Sequence, residues 1–378
     1  MAVLSDEQIV VKEQARAWVA AEAPVARFRA MRDSGAEYGF DKAAWGAIAQ
    51  LGWAGILVPE EFGGSAMGHL TFGIVLEETG RQLVASPLLA SGLVGASALL
   101  LGGTRAQQQA WLPRIADGSA VVTLAVDEGP RHAPERTALR AQKSGAGFRL
   151  SGKKVHVLEG LAADAFVVAA RTGGAPGETA GISLFLVEAS AKGVARQRIH
   201  TADSRGYAHV ELTGVEVGPD ALLAALDDGF DVLDATLDRG RAGLAAEMLG
   251  SAAQAFDMTL EYLKTRVQFG QIIGSFQALG HRAAALFTEL ELTRSCVEAA
   301  LQSTDKGGVD VAQLCSLSKA KAGDFVHHMS NELIQIHGGI GMTDEFDAGF
   351  YLKRARATEA ALGNQAFHRN RYATLLGF

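Results

Sequence analysis

Few side chains in this protein have the type and spacing of a known catalytic motif. The sequence contains no GxGxxG after a predicted strand, no Walker loop, no HExxH and no CxxC, the patterns that indicate dinucleotide, nucleotide, zinc and redox sites. The adjacent His327 and His328 diverge by about 100° on a helix, so they chelate a metal poorly. No GxSxG elbow supports a Ser-His-Asp triad. We therefore expect no metal site.

One carboxylate stands out by its surroundings. Glu247 lies in the apolar stretch from Ala245 to Gly250. Buried carboxylates are uncommon unless they have a partner or a catalytic task, and burial raises a carboxyl pKa toward the range that suits proton abstraction. Two interpretations follow: Glu247 is a general base, or it pairs with an arginine between two helices.

Proline placement predicts the helices that position these residues. All eight prolines lie at or before Pro219, and proline disrupts helix interiors. The remaining segment is rich in alanine and leucine, with apolar residues at helical spacing. We predict long helices over about 234–264, 275–303 and 309–337, with Asp310 as an N-cap of the third.

The middle of the chain has a different pattern. Short β-rich runs at 120–126, 166–170 and 182–187 are bounded by glycine, proline and serine, which is typical of strands. The sequence therefore predicts an α+β protein with three domains. These are an N-terminal helical domain over 1–117, a central β-domain over 118–219 and a helical bundle over 220–378.

Composition excludes several classes of protein. With 378 residues, 48% of them hydrophobic and 20% charged, the chain is not disordered. A net charge of −7 argues against a general nucleic-acid binder. Two cysteines exclude a disulfide framework. The first residues, MAVLSDEQIVVKEQARAW, are not typical of a signal peptide, and no apolar run is long enough to span a membrane. We expect a soluble cytoplasmic protein.

Three segments carry a family resemblance. They are residues 266–277 (RVQFGQIIGSFQ), residues 335–343 (QIHGGIGMT), and residues 51–64 (LGWAGILVPEEFGG) followed by 76–78 (LEE). In this order and at these separations they resemble the acyl-CoA dehydrogenase family over nearly the whole chain. The resemblance implies that the central domain is β-barrel-like and that the C-terminal domain is a four-helix bundle.

The resemblance also implies a bound FAD and a homo- or heterotetramer built from the C-terminal bundles. In this family the first two segments usually serve the flavin of a neighbouring subunit. An arginine offers a forked, permanently charged donor to a diphosphate, and a Gly-Gly pair lets backbone N–H groups approach closely. An alternative is that the arginine caps a helix C-terminus and the glycines form a turn. The matching cofactor-binding positions are Arg266, Phe269, Gln277, Gln335, Gly338 and Gly339.

Two flavin-facing loops depart from the family pattern. Members usually read Thr-Glu-Pro and then Gly-Ser-Asp where this chain has Val126 to Arg131. The second loop usually has an aromatic residue and then Ile-Thr-Asn, where this chain has His156 to Gly160. The family threonine that donates to the reactive end of the flavin is thus Leu158, whose side chain has no donor.

The family's catalytic base is also missing from its usual places. These enzymes remove the α-proton of an acyl-CoA thioester with a glutamate while the β-hydrogen leaves as hydride to the flavin. The usual position corresponds to Leu362, and the alternative one to Gly240 before Arg241. Glu247 is our candidate for the catalytic base and Glu359 a second one; otherwise the chain has no base of its own.

The leading hypothesis is an FAD-dependent acyl-CoA dehydrogenase subunit that introduces an α,β double bond into an acyl-CoA and passes electrons to an electron-transfer flavoprotein. The alternatives are a non-catalytic partner subunit of a heterotetramer with a homologous chain, and a flavin monooxygenase or oxidase on the same fold. Residues 157–164 and 351–355 resemble bacterial members that act on sterol side-chain thioesters. Small residues on the first long helix, Gly243, Ala245, Ala246 and Gly250, would either leave room for a bulky acyl group or serve close helix packing.

Overall fold

A computed structural model describes residues 3–378. The helices are α1 (Asp6–Glu22), α2 (Val25–Asp33), α3 (Lys42–Gln50), α4 (Gly68–Arg81), α5 (Ala96–Gly102), α6 (Arg105–Ala116), α7 (Phe230–Thr265), α8 (Gln277–Lys306), α9 (Val311–His337), α10 (Ala348–Ala360) and α11 (Gln365–Leu375). The strands are β1 (Val122–Ala125), β2 (Arg140–Ser144), β3 (Gly147–Val157), β4 (Ala165–Arg171), β5 (Ile182–Glu188), β6 (Val194–Arg198), β7 (Ala208–Val217), β8 (Leu222–Leu223), β9 (Val267–Gln268) and β10 (Gln271–Ile272). The α+β prediction is confirmed.

The chain divides into two compact units, and each contains segments that are distant in sequence. The bundle unit comprises the residues up to Arg29, His69–Val84 and Arg241–Phe378. The sheet unit comprises Ala30–Gly68 and Ala85–Gly240. The predicted domain boundaries at 117 and 219 stay predictions.

The sheet unit is built on eight strands in the order β6-β7-β3-β2-β4-β5-β8, with β1 parallel to β4. Among the described residues β6 and β8 do not pair with each other, so the sheet stays open and the expected barrel-like closure is wrong. The physical reason lies at the two ends. Strand β8 has two residues, too few for a further ladder, and β6 is largely exposed, as expected for an edge strand.

The sheet's core follows from its sequence pattern. Strand β4 is apolar up to Arg171 and buried along its whole length, as expected for a strand covered on both faces. Strand β3 instead alternates buried and exposed positions, so one of its faces meets solvent. Phe166, Phe185 and Val210 lie in the apolar cluster beneath the sheet.

The bundle unit confirms the three predicted long helices, which are α7, α8 and α9. Asp310 occupies the N-cap position of α9, as predicted, but its side chain makes no capping hydrogen bond. Its dihedral angles are helical, φ −95° and ψ −5°, whereas a residue whose side chain caps a helix usually has extended ones. Its carboxylate accepts a hydrogen bond from the Ser303 hydroxyl at 3.0 Å instead, so it joins α9 to α8.

Helices α4 and α7 approach each other at glycines. A Cβ at Gly250 would overlap the carbonyl oxygen of Glu77, and one at Gly80 would overlap that of Glu247. Gly250 therefore serves close helix packing, and it does not leave room for an acyl group.

The first turn of α4 is capped from α8, because the Asp305 carboxylate accepts hydrogen bonds from the backbone N–H groups of His69 and Leu70.

Within residues 3–378 we find no helix with both the length and the apolar character needed to span a membrane.

Candidate functional site

The two segments predicted to bind a cofactor meet in the bundle unit. Strands β9 and β10 form a short antiparallel hairpin between α7 and α8, and residues Gly338–Met342 form a 3₁₀ turn after α9. Leu263, Ile273 and Ile336 share one buried apolar cluster. This cluster joins the hairpin to the end of α9. The two segments, residues 266–277 and 335–343, are about 70 positions apart in the sequence and lie on one edge of the bundle unit, which we call the cofactor edge.

The six predicted cofactor residues are all exposed on this edge. They are Arg266, Phe269, Gln277, Gln335, Gly338 and Gly339. The Phe269 ring is 90% exposed, although solvent exposure of an aromatic ring is unfavourable. An exposed aromatic residue beside a cation and two glycines is typical of a surface that another molecule covers.

The Gly338–Gly339 turn is open to close approach. Gly338 has φ +62°, a conformation that favours glycine. A Cβ added at either glycine would meet no atom within 4 Å. The turn does end α9, as the alternative interpretation held, but nothing in the described chain covers its backbone.

The Arg266 side chain forms no hydrogen bond or ion pair with the residues that the structure describes. A helix-capping arginine would donate to the last carbonyl groups of its helix, so this alternative has no supporting contact. A guanidinium without a partner among the described residues, on the same edge as accessible backbone N–H groups, fits a diphosphate. The donor set of the cofactor edge therefore suits the adenosine diphosphate half of a dinucleotide.

The first of the two departing loops, Val126 to Arg131 in the sheet unit, has both of its carboxylates engaged. Asp127 contacts His132 Nδ1 at 2.9 Å, and Glu128 accepts hydrogen bonds from Lys154 Nζ at 2.6 Å and from the Leu139 N–H at 2.9 Å. Burial lowers the pKa of Lys154, and Glu128 opposes this shift. These contacts hold the loop in one conformation and occupy its acceptors.

The second departing loop is folded by left-handed residues. His156 has φ +52° and Glu159 has φ +50°, conformations that are uncommon outside glycine. The Leu158 carbonyl accepts a hydrogen bond from Thr123 Oγ1 at 2.8 Å. Since the Leu158 side chain has no donor, the residues present fit the adenosine side of FAD better than its reactive ring.

Glu247 is a residue of α7, and its side chain pairs with α10 in the bundle unit. Its Oε1 accepts hydrogen bonds from Arg354 Nε at 2.9 Å and Nη2 at 2.7 Å, and both side chains are buried. This is the arginine pairing that the sequence left open. The ion pair with Arg354 gives Glu247 a structural role in the bundle. Its role as a base stays a prediction.

Glu359, the second candidate base, is also paired. Its carboxylate contacts Arg356 Nη1 at 2.5 Å and His327 Nδ1 at 3.0 Å. His327 and His328 are exposed. Among residues 3–378 no group of three or more His, Cys, Asp or Glu side chains is arranged to hold a metal ion.

The turn that carries Leu362 is held by basic side chains that sequence reasoning missed. Lys319 Nζ donates to the carbonyls of Glu359 at 3.2 Å and Gly363 at 3.0 Å. Burial lowers the pKa of Lys319 to about 7. In the sequence Lys319 is followed by Lys321 and Asp324, so no local pattern distinguishes it from the other charges around it.

Two further basic groups contact the same turn. Arg241 Nε lies 3.5 Å from the Leu362 carbonyl oxygen, and His368 Nε2 lies 3.1 Å from it. Leu362 has φ +57°. Side chains from α7, α9 and α11 therefore fix the backbone at the place where the family resemblance puts the catalytic glutamate, although the residue there is apolar.

Comparisons with known proteins identify the family of the chain. The family description "Acyl-CoA dehydrogenase, N-terminal domain" matches residues 5–119, and "Acyl-CoA dehydrogenase, C-terminal domain" matches residues 227–376. Acyl-CoA dehydrogenase FadE27 of Mycobacterium tuberculosis is 32% identical over 338 residues, which cover 86% of each chain.

Two solved structures share the fold over almost the whole chain. A chain of the ChsE4-ChsE5 complex from Mycobacterium tuberculosis has a TM-score of 0.90 and 28% identity, covering 100% of this chain and 99% of that one. A chain of a Tcur3481-Tcur3483 steroid ACAD variant has a TM-score of 0.89 and 30% identity, covering 98% of both. From these matches we conclude that the chain belongs to the acyl-CoA dehydrogenase family.

Proposed function

We propose that this protein is a subunit of an FAD-dependent acyl-CoA dehydrogenase, and that it lends its cofactor edge to a flavin in an assembly with a homologous chain. The observation that carries the proposal is the Arg266 guanidinium, which has no partner among the described residues and lies on the same edge as the open Gly338–Gly339 turn. Such a donor set suits a diphosphate contributed from outside the chain.

The roles of the edge residues follow from their chemistry. Arg266 binds a diphosphate oxygen, the N–H groups of Gly338 and Gly339 approach it closely, and Phe269 covers the planar adenine. When bound, FAD would supply the acceptor for the hydride from the β-carbon of the acyl-CoA and the route of the electrons to an electron-transfer flavoprotein. The residues of this chain hold and orient the cofactor.

The base is proposed to come from the homologous chain. Glu247 is paired with Arg354, and position 362 carries a leucine. A proton acceptor must reach the α-carbon with a lone pair; the Leu362 side chain has none, and the Glu247 carboxylate is held by Arg354. The names of the solved relatives ChsE4-ChsE5 and Tcur3481-Tcur3483 each join two chains, which supports an assembly of unlike subunits.

The substrate class is proposed from the same relatives. One of them is named as a steroid ACAD, which supports an acyl-CoA whose acyl group carries a ring system. The α,β double bond would form next to the thioester, as in the family resemblance.

Flavin content tests this proposal. The chain is purified alone and together with a homologous chain that carries the glutamate, and flavin per protein is read from the absorption spectrum. We expect flavin near stoichiometric occupancy only in the mixed assembly. Arg266→Ala should lower that occupancy, whereas Arg140→Ala, an exposed arginine of the sheet unit, should not. Unchanged occupancy in Arg266→Ala would overturn the assignment of the cofactor edge.

The oxidase alternative has its own readout. An oxidase or monooxygenase reacts rapidly with oxygen in its reduced state, whereas a dehydrogenase that uses a flavoprotein acceptor does not. After anaerobic reduction by an acyl-CoA, we expect slow reoxidation in air and fast reoxidation by an electron-transfer flavoprotein. Fast reoxidation by air alone would favour the oxidase.

A further inference from the structure

A small pocket lies in the sheet unit, where the end of α2 meets the connection between β6 and β7. Its lining comes from two segments, within residues 31–36 and 198–205, and both belong to the sheet unit. Its volume is about 200 Å³, below the roughly 300–1,000 Å³ of pockets for drug-sized ligands. A ligand of this pocket is therefore a small ion or the end of a small molecule.

The lining of the pocket is basic. Arg32, Arg198 and Arg205 line it together with His200, and the described residues of the lining include no aspartate or glutamate. The chain as a whole has a net charge of −7, so this concentration of positive charge is a local feature. Like charges in one small pocket repel each other, and a bound anion offsets that repulsion.

Two of the three arginines contribute mainly charge. Arg32 Nε donates to Asp33 Oδ1 at 2.7 Å, although the Asp33 side chain is 57% exposed. Arg205 is 4% exposed and interacts within the chain. The nearby Asp203 accepts a hydrogen bond from Thr201 Oγ1 at 2.6 Å. The hydrogen-bond donors for a ligand therefore come from the other polar residues of the pocket.

Arg198 is held in place with part of its guanidinium unused. Its Nη1 donates to the carbonyl oxygens of Ala36 at 3.1 Å and Glu37 at 3.3 Å, which fixes the group against the segment after α2. Within residues 3–378 its Nε and Nη2 form no hydrogen bond, and no carboxylate pairs with it. These two N–H groups point the same way, so they can bind one oxyanion as a fork.

His200 and Ser204 add two more donors. His200 is exposed, and neither its ring nor the Ser204 hydroxyl forms a hydrogen bond with the part of the chain that the structure describes. Ser204 has φ +56°, and its backbone N–H donates to the Thr201 carbonyl. This turn brings residues on both sides of it into the lining of the pocket.

We propose that this pocket binds a phosphate group, either as free inorganic phosphate or as the phosphate of a small monoester. Phosphate has oxygens on every side of its phosphorus, so it accepts from the Arg198 fork while other oxygens accept from His200 and Ser204. Arg32 and Arg205 stabilise its charge. A carboxylate has two oxygens in one plane and a single charge, so it satisfies fewer of these donors.

Titration followed by ³¹P NMR tests the proposal with the purified full chain, at an ionic strength held constant with chloride. The probes are inorganic phosphate and glycerol 3-phosphate, and the width of their own signals reports binding. Acetate competes as the carboxylate comparison. We expect saturable binding of phosphate and about tenfold weaker binding of acetate, because hydrogen bonds to a charged group are lost. Tighter binding of the ester than of the free ion would identify a monoester as the ligand, and the reverse order would identify free phosphate.

A matched pair of variants on β6 locates the site. Arg196 and Arg198 each donate through Nη1 to two carbonyl oxygens, but Arg196 does not line the pocket. Arg198→Met should weaken phosphate binding about tenfold, because a charge-assisted fork is lost. Arg196→Met should leave the binding unchanged. Thermal unfolding without phosphate shows that both variants fold.

A charge reversal at His200 tests the pocket without breaking a hydrogen bond of the chain. His200→Glu should weaken phosphate binding about tenfold by repulsion. Arg266→Ala, at the cofactor edge of the other unit, should leave it unchanged, so the two sites are distinguished. Unsaturable binding, equal binding of acetate, binding that survives both pocket variants, or its loss in Arg266→Ala would overturn the proposal. Such failures leave the flavin proposal untouched, because the two sites share no residue.

Discussion

Arg354 donates two hydrogen bonds, at 2.9 and 2.7 Å, to a single oxygen of Glu247, and the pair is buried between α7 and α10. A carboxylate paired in this way holds α7 in register with α10. In this chain Glu247 is engaged in the ion pair, and the family's usual base position carries the apolar Leu362.

The first prediction concerns that ion pair. Arg354→Met leaves the Glu247 carboxylate buried without its partner, and this should lower the free energy of unfolding by about 3–5 kcal/mol. The double variant Glu247→Leu, Arg354→Met should recover most of the loss, because it removes both charges. Urea unfolding of the three proteins measures this, and a loss below about 1 kcal/mol for Arg354→Met would contradict the burial of the pair.

A second prediction follows from Lys319. Burial lowers its pKa in the folded state to about 7 from the ordinary 10.5, so between these pH values the unfolded chain binds more protons than the folded one. Stability then rises with pH across this window, because the cost of burying the charged amine disappears. Below about pH 7 both states are protonated and this contribution is lowest.

The control for this pH dependence is Lys319→Met. The variant loses the hydrogen bonds to the carbonyls of Glu359 and Gly363, so its absolute stability falls at high pH. Its free energy of unfolding should nevertheless rise less steeply than that of the wild type between pH 7 and about pH 10. Parallel curves for the two proteins would show that Lys319 does not titrate in this window.

The helix crossing gives a third prediction. Gly250→Ala places a methyl group against the Glu77 carbonyl, so we expect destabilisation by about 1–3 kcal/mol from overpacking. Gly280→Ala in α8 meets no atom within 4 Å and should stabilise the protein by about 0.5–1 kcal/mol through helix propensity. Thermal unfolding compares them, and a harmless Gly250→Ala would mean that α4 and α7 can separate.

A fourth prediction concerns the cap of α4. Asp305→Ala removes the acceptor for the backbone N–H groups of His69 and Leu70, and loss of an N-cap costs about 0.5–2 kcal/mol. Amide hydrogen exchange should then increase in the first turn of α4 while the last turn, held by Arg81 and Asp257, stays protected. Uniform exchange along α4 would contradict a local capping role.

Local patterns predicted the elements of this fold more reliably than their contacts. The proline-free segment after Pro219 and its apolar spacing predicted α7, α8 and α9, because the periodicity of a helix depends on residues that are close together in the sequence. Asp310 stands at the predicted N-cap position of α9, but its carboxylate accepts a hydrogen bond from Ser303 on another helix and does not cap α9, so a tertiary contact replaces the local one. The barrel was wrong because closure depends on the two edge strands, and β8 has only two residues.

The candidate site was predictable in a similar, partial way. Arg266, Gly338 and Gly339 were identified from their motifs, and the apolar cluster of Leu263 and Ile336 brings them to one edge. The partner of Glu247 lies 107 positions away. The sequence could therefore suggest a pairing with an arginine, but it could not identify Arg354 as that arginine. The basic groups around Leu362 come from three helices, and they have no common motif.

The most direct test of the central claim is anaerobic bleaching of the flavin by acyl-CoAs of varied ring content, measured for the chain alone and for its assembly with a glutamate-bearing homologue. We predict that the chain alone holds little flavin, that the assembly is bleached, and that Glu247→Gln in this chain leaves the bleaching rate unchanged. A chain that alone retains stoichiometric flavin, is bleached by an acyl-CoA and loses that bleaching in Glu247→Gln would contradict the account.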